Sequence, residues 1–400
     1  MHMKDFLEED STKSHTLKKL YYLIYAHGPI SKADLQMMTN LRHTTLVRMI
    51  DELLSNHFIY ESGRGISSGG RPPVLYEIVH NRAFLIGIDL SRTHTTIALL
   101  DLKLSMIEKV SFPMTQSHSP EIIIEKMINT IKQFIHIHKL KNDDLIGIGI
   151  GSVGPLDRKQ GIILNPDSFP SSGWNRIPIT RTLENEFNVK VILENGANTA
   201  AFGENKYLSV QDQDILYCIS GVGLRCGMLV NGHAVQNKTG VASSFGHMIV
   251  DIDGRECICG KKGCLLAYTS LESMKKQINE RISAGENSTL LQSENLTFKH
   301  LIHAVELGNK VVEGVIMDSA YYYGIGVANM INFMNPDHVL FNGPLIYAYP
   351  PYYEKIIRTA KKYMFNAYEN TVSFSKGVLK EDAVPVGAAA LLFNSFFSDN

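Results

Sequence analysis

The sequence predicts an α/β protein in two parts: a short N-terminal segment of three helices and a hairpin, then a long α/β body whose pattern occurs twice. Three observations predict it. Apolar residues recur at helical spacing before Phe58. Two β-reading runs joined by a Gly-rich stretch follow. From about Arg82, strand runs come first as a meander and then alternate with helices, in the same order twice. At 400 residues the chain is long enough for two or three domains of roughly 150 residues each.

Residues 12–27, TKSHTLKKLYYLIYAH, carry Leu17, Leu20, Leu23 and Ile24 on one stripe, and Gly28-Pro29 ends that helix. Ser31 is placed to cap a second helix, KADLQMMT, because its hydroxyl can accept an orphan backbone N–H. Asn40 and Leu41 make a turn. The third helix, RHTTLVRMIDELLSNHF, has Leu46, Ile50, Leu53 and Leu54 on one face and Arg42, Thr44, Thr45 and Arg48 on the other. The runs FIYES and VLYEIV, joined by GRGISSGGRPP, read as a hairpin with a Gly-rich tip. Three helices closed by such a hairpin are the pattern of a winged helix-turn-helix, assigned to residues 1–82.

In the body, FLIGIDL, TTIALLDL and MIEKVSF precede an amphipathic helix from about Pro120 to Leu140, and the strand LIGIGIG ends in the loop SVGPLD. DILYCIS and GMLVNG repeat the style. Helices near 270–285 and 310–333 follow, then the strand HVLFNG and a helix at PVGAAALLF. A duplicated α/β domain over residues 83–400 is expected, with a cleft between its lobes. The first lobe takes about 83–200 plus the C-terminal helix, the second about 201–385.

Charged residues make up 20% of the chain and hydrophobic residues 44%, ordinary for a globular protein, and the net charge is −1. Any nucleic-acid surface must therefore be local. No apolar run reaches the length of a membrane span, so no membrane partner is expected. The first ten residues lack an apolar core, so no secretory signal is expected. Five cysteines, an odd count, fit a reducing cytoplasm better than a disulfide framework.

Three of those cysteines fall within eight residues, in the order His247, Cys257, Cys259, Cys264. Three thiolates and an imidazole are the ligand set of tetrahedral zinc, and Gly260 and Gly263 allow the backbone to turn tightly enough for them to converge. Free structural thiols are the alternative. A closed four-ligand site leaves no position for water or substrate, so the expected Zn2+ is structural.

GHMIVDIDGRECICGKKGCLL resembles the signature of the ROK family, and other stretches agree in order: GIGIGSVGPLD, ILNPDSFPSSGW, VKVILENGANTAAFGE, INFMNPDHVLFNG and PVGAAALL. The resemblance covers roughly residues 83–395. It implies a two-lobed actin-like (ribonuclease H-like) ATPase-type domain, and a function among sugar kinases and transcription repressors. The repressors carry a winged helix whose wing often ends in a segment like GGRPP.

The kinase parts that the resemblance implies are altered here. The catalytic aspartate of N-D-x-N is Gly196, which has no side chain to take a hydroxyl proton. The first phosphate loop reads Asp89-Leu90-Ser91-Arg92-Thr93, without the glycines that let N–H groups approach a phosphate. The second reads Gly221-Val222-Gly223-Leu224-Arg225, and the adenosine-side pair of glycines is Asn342-Gly343. The chain is therefore expected not to be an enzyme. The family's sugar contacts fall on Asn195, Gly196, Ser244, His247 and Leu266, of which Asn195 and His247 match. Asn195 either contacts a ligand or only caps a helix; His247 either contacts it or only ligates zinc. Asn165 and Asp167 add further polar candidates. The ligand is a sugar, a sugar phosphate or none.

In a helix-turn-helix the second helix of the motif brings its first residues to base edges. Here these are Arg42, His43, Thr44, Thr45 and Arg48. Between Ser11 and Arg82 stand nine Lys/Arg against five Asp/Glu, a modest basic bias. Arg64 and Arg71 lie in the Gly-rich wing; Arg71, between Gly and Pro, either enters a minor groove or touches phosphate. The sequence thus implies a cytoplasmic DNA-binding regulator of carbohydrate genes. Its expected partners are a double-stranded operator, a sugar or sugar phosphate effector, and its own copies in a homodimer or tetramer. A sugar kinase with a DNA-binding head is the rival reading, as is a regulator with a vestigial cleft that answers to a protein partner.

Overall fold

The computed structural model describes all residues except 67–70, 142, 167–168, 209–212, 237–242, 287–295, 369–370 and 398–400. The chain divides into two compact units. One comprises Met1–Ser152, Asp157–Glu194 and Ala388–Asn400; the other Val153–Leu156 and Asn195–Gly387.

The first unit opens with α1 (Met3–Glu8), α2 (Thr12–His27), β1 (Ile30–Ser31), α3 (Lys32–Thr39), α4 (His43–Ser55), β2 (Ile59–Arg64) and β3 (Val74–Ile78). Ser11 caps α2 by accepting the Ser14 amide, and Ser31 caps α3 by accepting that of Asp34. Asn40 ends α3 in the left-handed conformation. The stripe read on α4 is buried at Leu46, Ile50 and Leu53, with Met49 joining it. The strands form one antiparallel sheet in the order β1-β3-β2. Helix α1 is absent from the sequence reading, because six residues are too short for a periodic signal. Its Met3, Phe6 and Leu7 are buried nonetheless, with Phe6 against Tyr21 and Phe58.

This head runs directly into the body of its unit. The Leu102 amide donates to His80 O at 3.0 Å, His80 Nδ1 and Asp101 Oδ2 lie 2.7 Å apart, and Lys103 pairs with Glu77. The body holds β4 (Phe84–Leu90), β5 (His94–Asp101), β6 (Met106–Pro113), α5 (Pro120–Ile137), β7 (Leu145–Ser152), β8 (Leu156–Asp157), β9 (Ile162–Ile163), α6 (Ile179–Phe187) and β10 (Lys190–Asn195). The second unit continues with α7 (Gly196–Leu208), β11 (Ile215–Ser220), β12 (Leu224–Val230), β13 (His233–Ala234), α8 (Leu266–Thr269), α9 (Leu271–Ser283), α10 (Phe298–Glu306), α11 (Lys310–Met334), β14 (His338–Asn342), α12 (Pro344–Ala348), α13 (Pro350–Tyr363) and β15 (Ser373–Lys376). Helix α14 (Ala383–Asn394) ends the fold.

The duplication is explicit in the sheets. One has the order β6-β5-β4-β7-β10 and the other β13-β12-β11-β14-β15. In both, the third strand is antiparallel to the second and parallel to the fourth. This is the repeated actin-like arrangement that the resemblance implied. Each sheet carries a helix at backbone distance. A Cβ on Gly149 of β7 would stand 2.0 Å from Ala388 O of α14, and one on Gly227 of β12 would stand 2.0 Å from Ala197 O of α7. The strand glycines are thus close-approach positions for helices.

Candidate functional site

The cysteine-bearing loop leaves a short 3-10 turn at Ser243–His247 and returns into α8. It has almost no regular structure, so single bonds hold it. Val250 N donates to Gly263 O, Cys257 N to Lys261 O, Gly260 N to Cys257 O and Gly263 N to Arg255 O, all at 2.8–2.9 Å. Gly260 and Gly263 have φ of 80° and 73°, the left-handed region expected of them. At Gly263 a side chain is also excluded by space, since its Cβ would lie 1.7 Å from Asp251 O. A polar brace that the sequence reading missed sits under the loop. Tyr268 Oη donates to Asp251 Oδ2 at 2.8 Å and accepts the Arg255 amide at 3.0 Å, while the Arg255 guanidinium covers its ring and Tyr322 stacks 3.8 Å away. Burial, chiefly, pushes the Tyr268 phenol up to about 12, so it stays a donor.

The loop brings His247, Cys257, Cys259 and Cys264 together, with all four candidate ligand atoms within 4.8 Å of one another. Cys257 Sγ is 3.7 Å from His247 Nδ1, and Cys259 Sγ is 3.7 Å from Cys264 Sγ. A tetrahedron with bonds of about 2.3 Å has edges of about 3.8 Å, so the donors fit such an ion. Burial, and then the neighbouring thiols, push Cys264 up to about 12. The Lys261 amide lowers exposed Cys259. A buried thiol of this kind gives up its proton only to a cation that takes its place.

In the head, Arg42, His43, Thr44 and Arg48 are exposed at and after the start of α4, and Thr45 is half-buried. Arg42 is the N-cap residue and makes no side-chain capping bond. Arg64 ends β2 and Arg71 follows the wing tip, both exposed; residues 67–70 of the tip lie outside the described residues.

Among the candidate ligand contacts, Asn195 is buried at the start of α7, and its Oδ1 accepts the Ala197 amide at 2.9 Å, a capping bond. Asn165 is exposed and belongs to the first unit, whereas Asn195 and His247 belong to the second. Asp167 lies outside the described residues. Just before Asn195, buried Glu194 meets Arg158 at 3.2 Å. A separation of 36 residues gives this pair no signature in the sequence.

The segments that resemble phosphate loops in sequence have partners of their own. Buried Asp89 is 3.2 Å from His94 Nε2, and Ser91 Oγ donates to His94 O. Gly221 N donates to Gly223 O at 3.0 Å. Asn342 Nδ2 donates to Tyr217 Oη and to Lys380 O, each at 2.6 Å.

A family model described as the ROK family matches residues 85–394. The chain is 26% identical over 393 residues to the xylose repressor of Bacillus subtilis (strain 168), covering 98% of each. It is 26% identical over 320 residues to the glucokinase of Thermotoga maritima, covering 77% of this chain and 96% of that one. A crystal structure of a ROK family transcriptional regulator, homologous to the E. coli Mlc protein, matches with a TM-score of 0.81 at 23% identity, over 97% of both chains.

Proposed function

The chain belongs to the ROK family, and from that premise we propose that it is a transcription regulator, a repressor of carbohydrate-utilisation genes released or engaged by a sugar or sugar phosphate. One observation carries the reading. The head presents an exposed row of Arg42, His43, Thr44 and Arg48 along α4, and repressor relatives align through this head whereas the glucokinase covers only 77% of the chain. Arg offers paired donors to guanine, and Thr offers a hydroxyl and a methyl to bases or phosphates. Arg64 and Arg71 add contacts from the wing. A two-fold operator calls for two heads, so the working form is a homodimer or tetramer in the cytoplasm.

Zinc at His247, Cys257, Cys259 and Cys264 is structural in this reading. Four protein ligands close its coordination, and the ion's work is to hold the loop that carries His247. Asn195 and His247 are the candidate effector contacts in this reading. Phosphoryl transfer has no base in this reading: Gly196 follows Asn195, and Asn342 fills the place of a glycine.

Fluorescence anisotropy tests this with labelled duplexes from upstream of its own and neighbouring genes and a scrambled duplex at the same salt. Binding to the first at least about a thousandfold tighter, and weakened or strengthened by D-xylose or another sugar, is the expected result. Equal affinity for both duplexes overturns the reading. ATP turnover with a hexose or pentose would favour the kinase instead.

A further inference from the structure

Residues 350–380 hold six basic side chains, Lys355, Arg358, Lys361, Lys362, Lys376 and Lys380, against two acidic ones, Glu354 and Glu369. The head holds nine against five over residues 11–82, so this stretch carries the same excess in fewer than half as many residues. In a chain whose net charge is −1, that is a local basic surface.

Helix α13 and the edge strand β15, both in the second unit, bring the cations together. Tyr352, Ile356, Thr359 and Ala360 are the buried side of α13. Lys355, Arg358, Lys361 and Lys362 recur at three- and four-residue spacing on the other side. There Arg358, Lys361 and Lys362 are exposed and Lys355 is half-buried. Strand β15 lies along this helix. Its Lys376 Nζ stands 4.9 Å from the Tyr353 ring of α13, and Lys361 Nζ of α13 stands 5.9 Å from the Phe374 ring of β15.

Two features set these cations apart. Elsewhere Lys13, Lys103, Lys310 and Arg281 pair with carboxylates. Among the described residues, none of the six makes such a pair. Five of them lie over aromatic rings instead: besides Lys361 and Lys376, Lys355 is 5.5 Å from Tyr321, Lys362 is 5.2 Å from Tyr363 and Lys380 is 5.7 Å from Tyr347. A ring beside the ammonium holds it in place without spending its N–H donors, so an incoming anion meets charges already positioned. The helix dipole accounts for Lys361 and Lys362 in the last turn of α13 but not for the other four.

From Lys355 to Lys362 the helix rises about 10 Å, over which one strand of duplex DNA presents about three phosphates. Lysines are point charges that take phosphate oxygens without reading a base edge. We propose that the face made by α13 and β15 is a second nucleic-acid contact, one that holds the phosphate backbone of duplex DNA without regard to sequence. Its use rests on the regulator reading, but the contact is measurable apart from the head.

Anisotropy with a scrambled duplex over a range of salt, on the full chain, tests it. The triple variant Arg358→Gln, Lys361→Gln, Lys376→Gln keeps part of each stem and removes three charges. Its plot of log affinity against log salt should be shallower than that of wild type by about three, since each phosphate contact releases close to one counterion. Hydrogen exchange over residues 350–380 should slow when the duplex is added to wild type. If the triple variant fails to fold, Arg358→Gln alone decides, with a slope shallower by about one. An unchanged slope overturns the proposal. So does exchange over 350–380 that polyglutamate slows and the duplex does not, which would assign the face to an acidic protein. Equal affinity for operator and scrambled duplexes, with residues 350–380 protected, would sink the regulator reading and leave this face standing. Preference for the operator with an unchanged slope would do the reverse.

Discussion

At Arg48 the side chain is exposed in the second turn of α4, so its removal should touch function and not folding. Arg48→Ala should weaken operator binding about tenfold or more, the cost of one lost base or phosphate contact, with an unchanged melting temperature. Anisotropy and a thermal melt on the same sample check both halves. Cys259 is the exposed member of the metal cluster, so replacing it leaves no buried cavity. Cys259→Ser should lose most bound metal, seen as a metal-to-protein ratio well below one by elemental analysis, and should lower the melting temperature. Because thiols must shed protons to bind, metal retention in wild type should fall as pH falls, read as the metal-to-protein ratio after dialysis at each pH. All four candidate ligands were legible in the sequence, since three of them are closely spaced. The brace from Tyr268 to Asp251 was not, because a hydrogen bond across 17 residues leaves no pattern.

At the scale of elements, periodicity and capping located the helices α2–α4 and the long helices α5, α9 and α11, but the sequence reading named no helix at α6, α10, α12 or α13. Helix α3 occupies the residues read from Ser31 and Asn40, because a cap and a left-handed stop fix both ends locally. Helix α5 stops at Ile137, short of the Leu140 expected, although its apolar spacing runs on. The short elements α1, β1, β8 and β9 had no period to read. The glycines of LIGIGIG look, in sequence, like weak strand residues, and only the helix lying on them explains the choice. Gly149→Ala puts a Cβ into the α14 backbone, and such overpacking should cost about 1–3 kcal/mol. A lower urea midpoint with an unchanged slope is the expected result. An unaltered midpoint would mean that α14 yields more easily than the geometry allows.

For the whole molecule, the altered kinase motifs predict behaviour that no single residue does. Gly196→Asp places a carboxylate after Asn195 but leaves Arg92, Arg225 and Asn342 in the segments that resemble phosphate loops. This variant should show no ATP turnover with glucose or xylose in a coupled assay. Turnover in the variant would mean that nucleotide binding had survived and only the base was missing.

By itself the sequence determined the kinds of parts: three helices and a hairpin, a repeated α/β pattern, and a His/Cys loop spaced for a metal. Each is written in local chemistry, in caps, periods and ligand spacing that act over a few residues. The tertiary structure decided how the parts are joined. That Gly149 leaves room for Ala388 of α14 depends on a contact between residues far apart in the chain. Close packing selects such residues for the space a partner leaves, and that space exists only once the chain has folded.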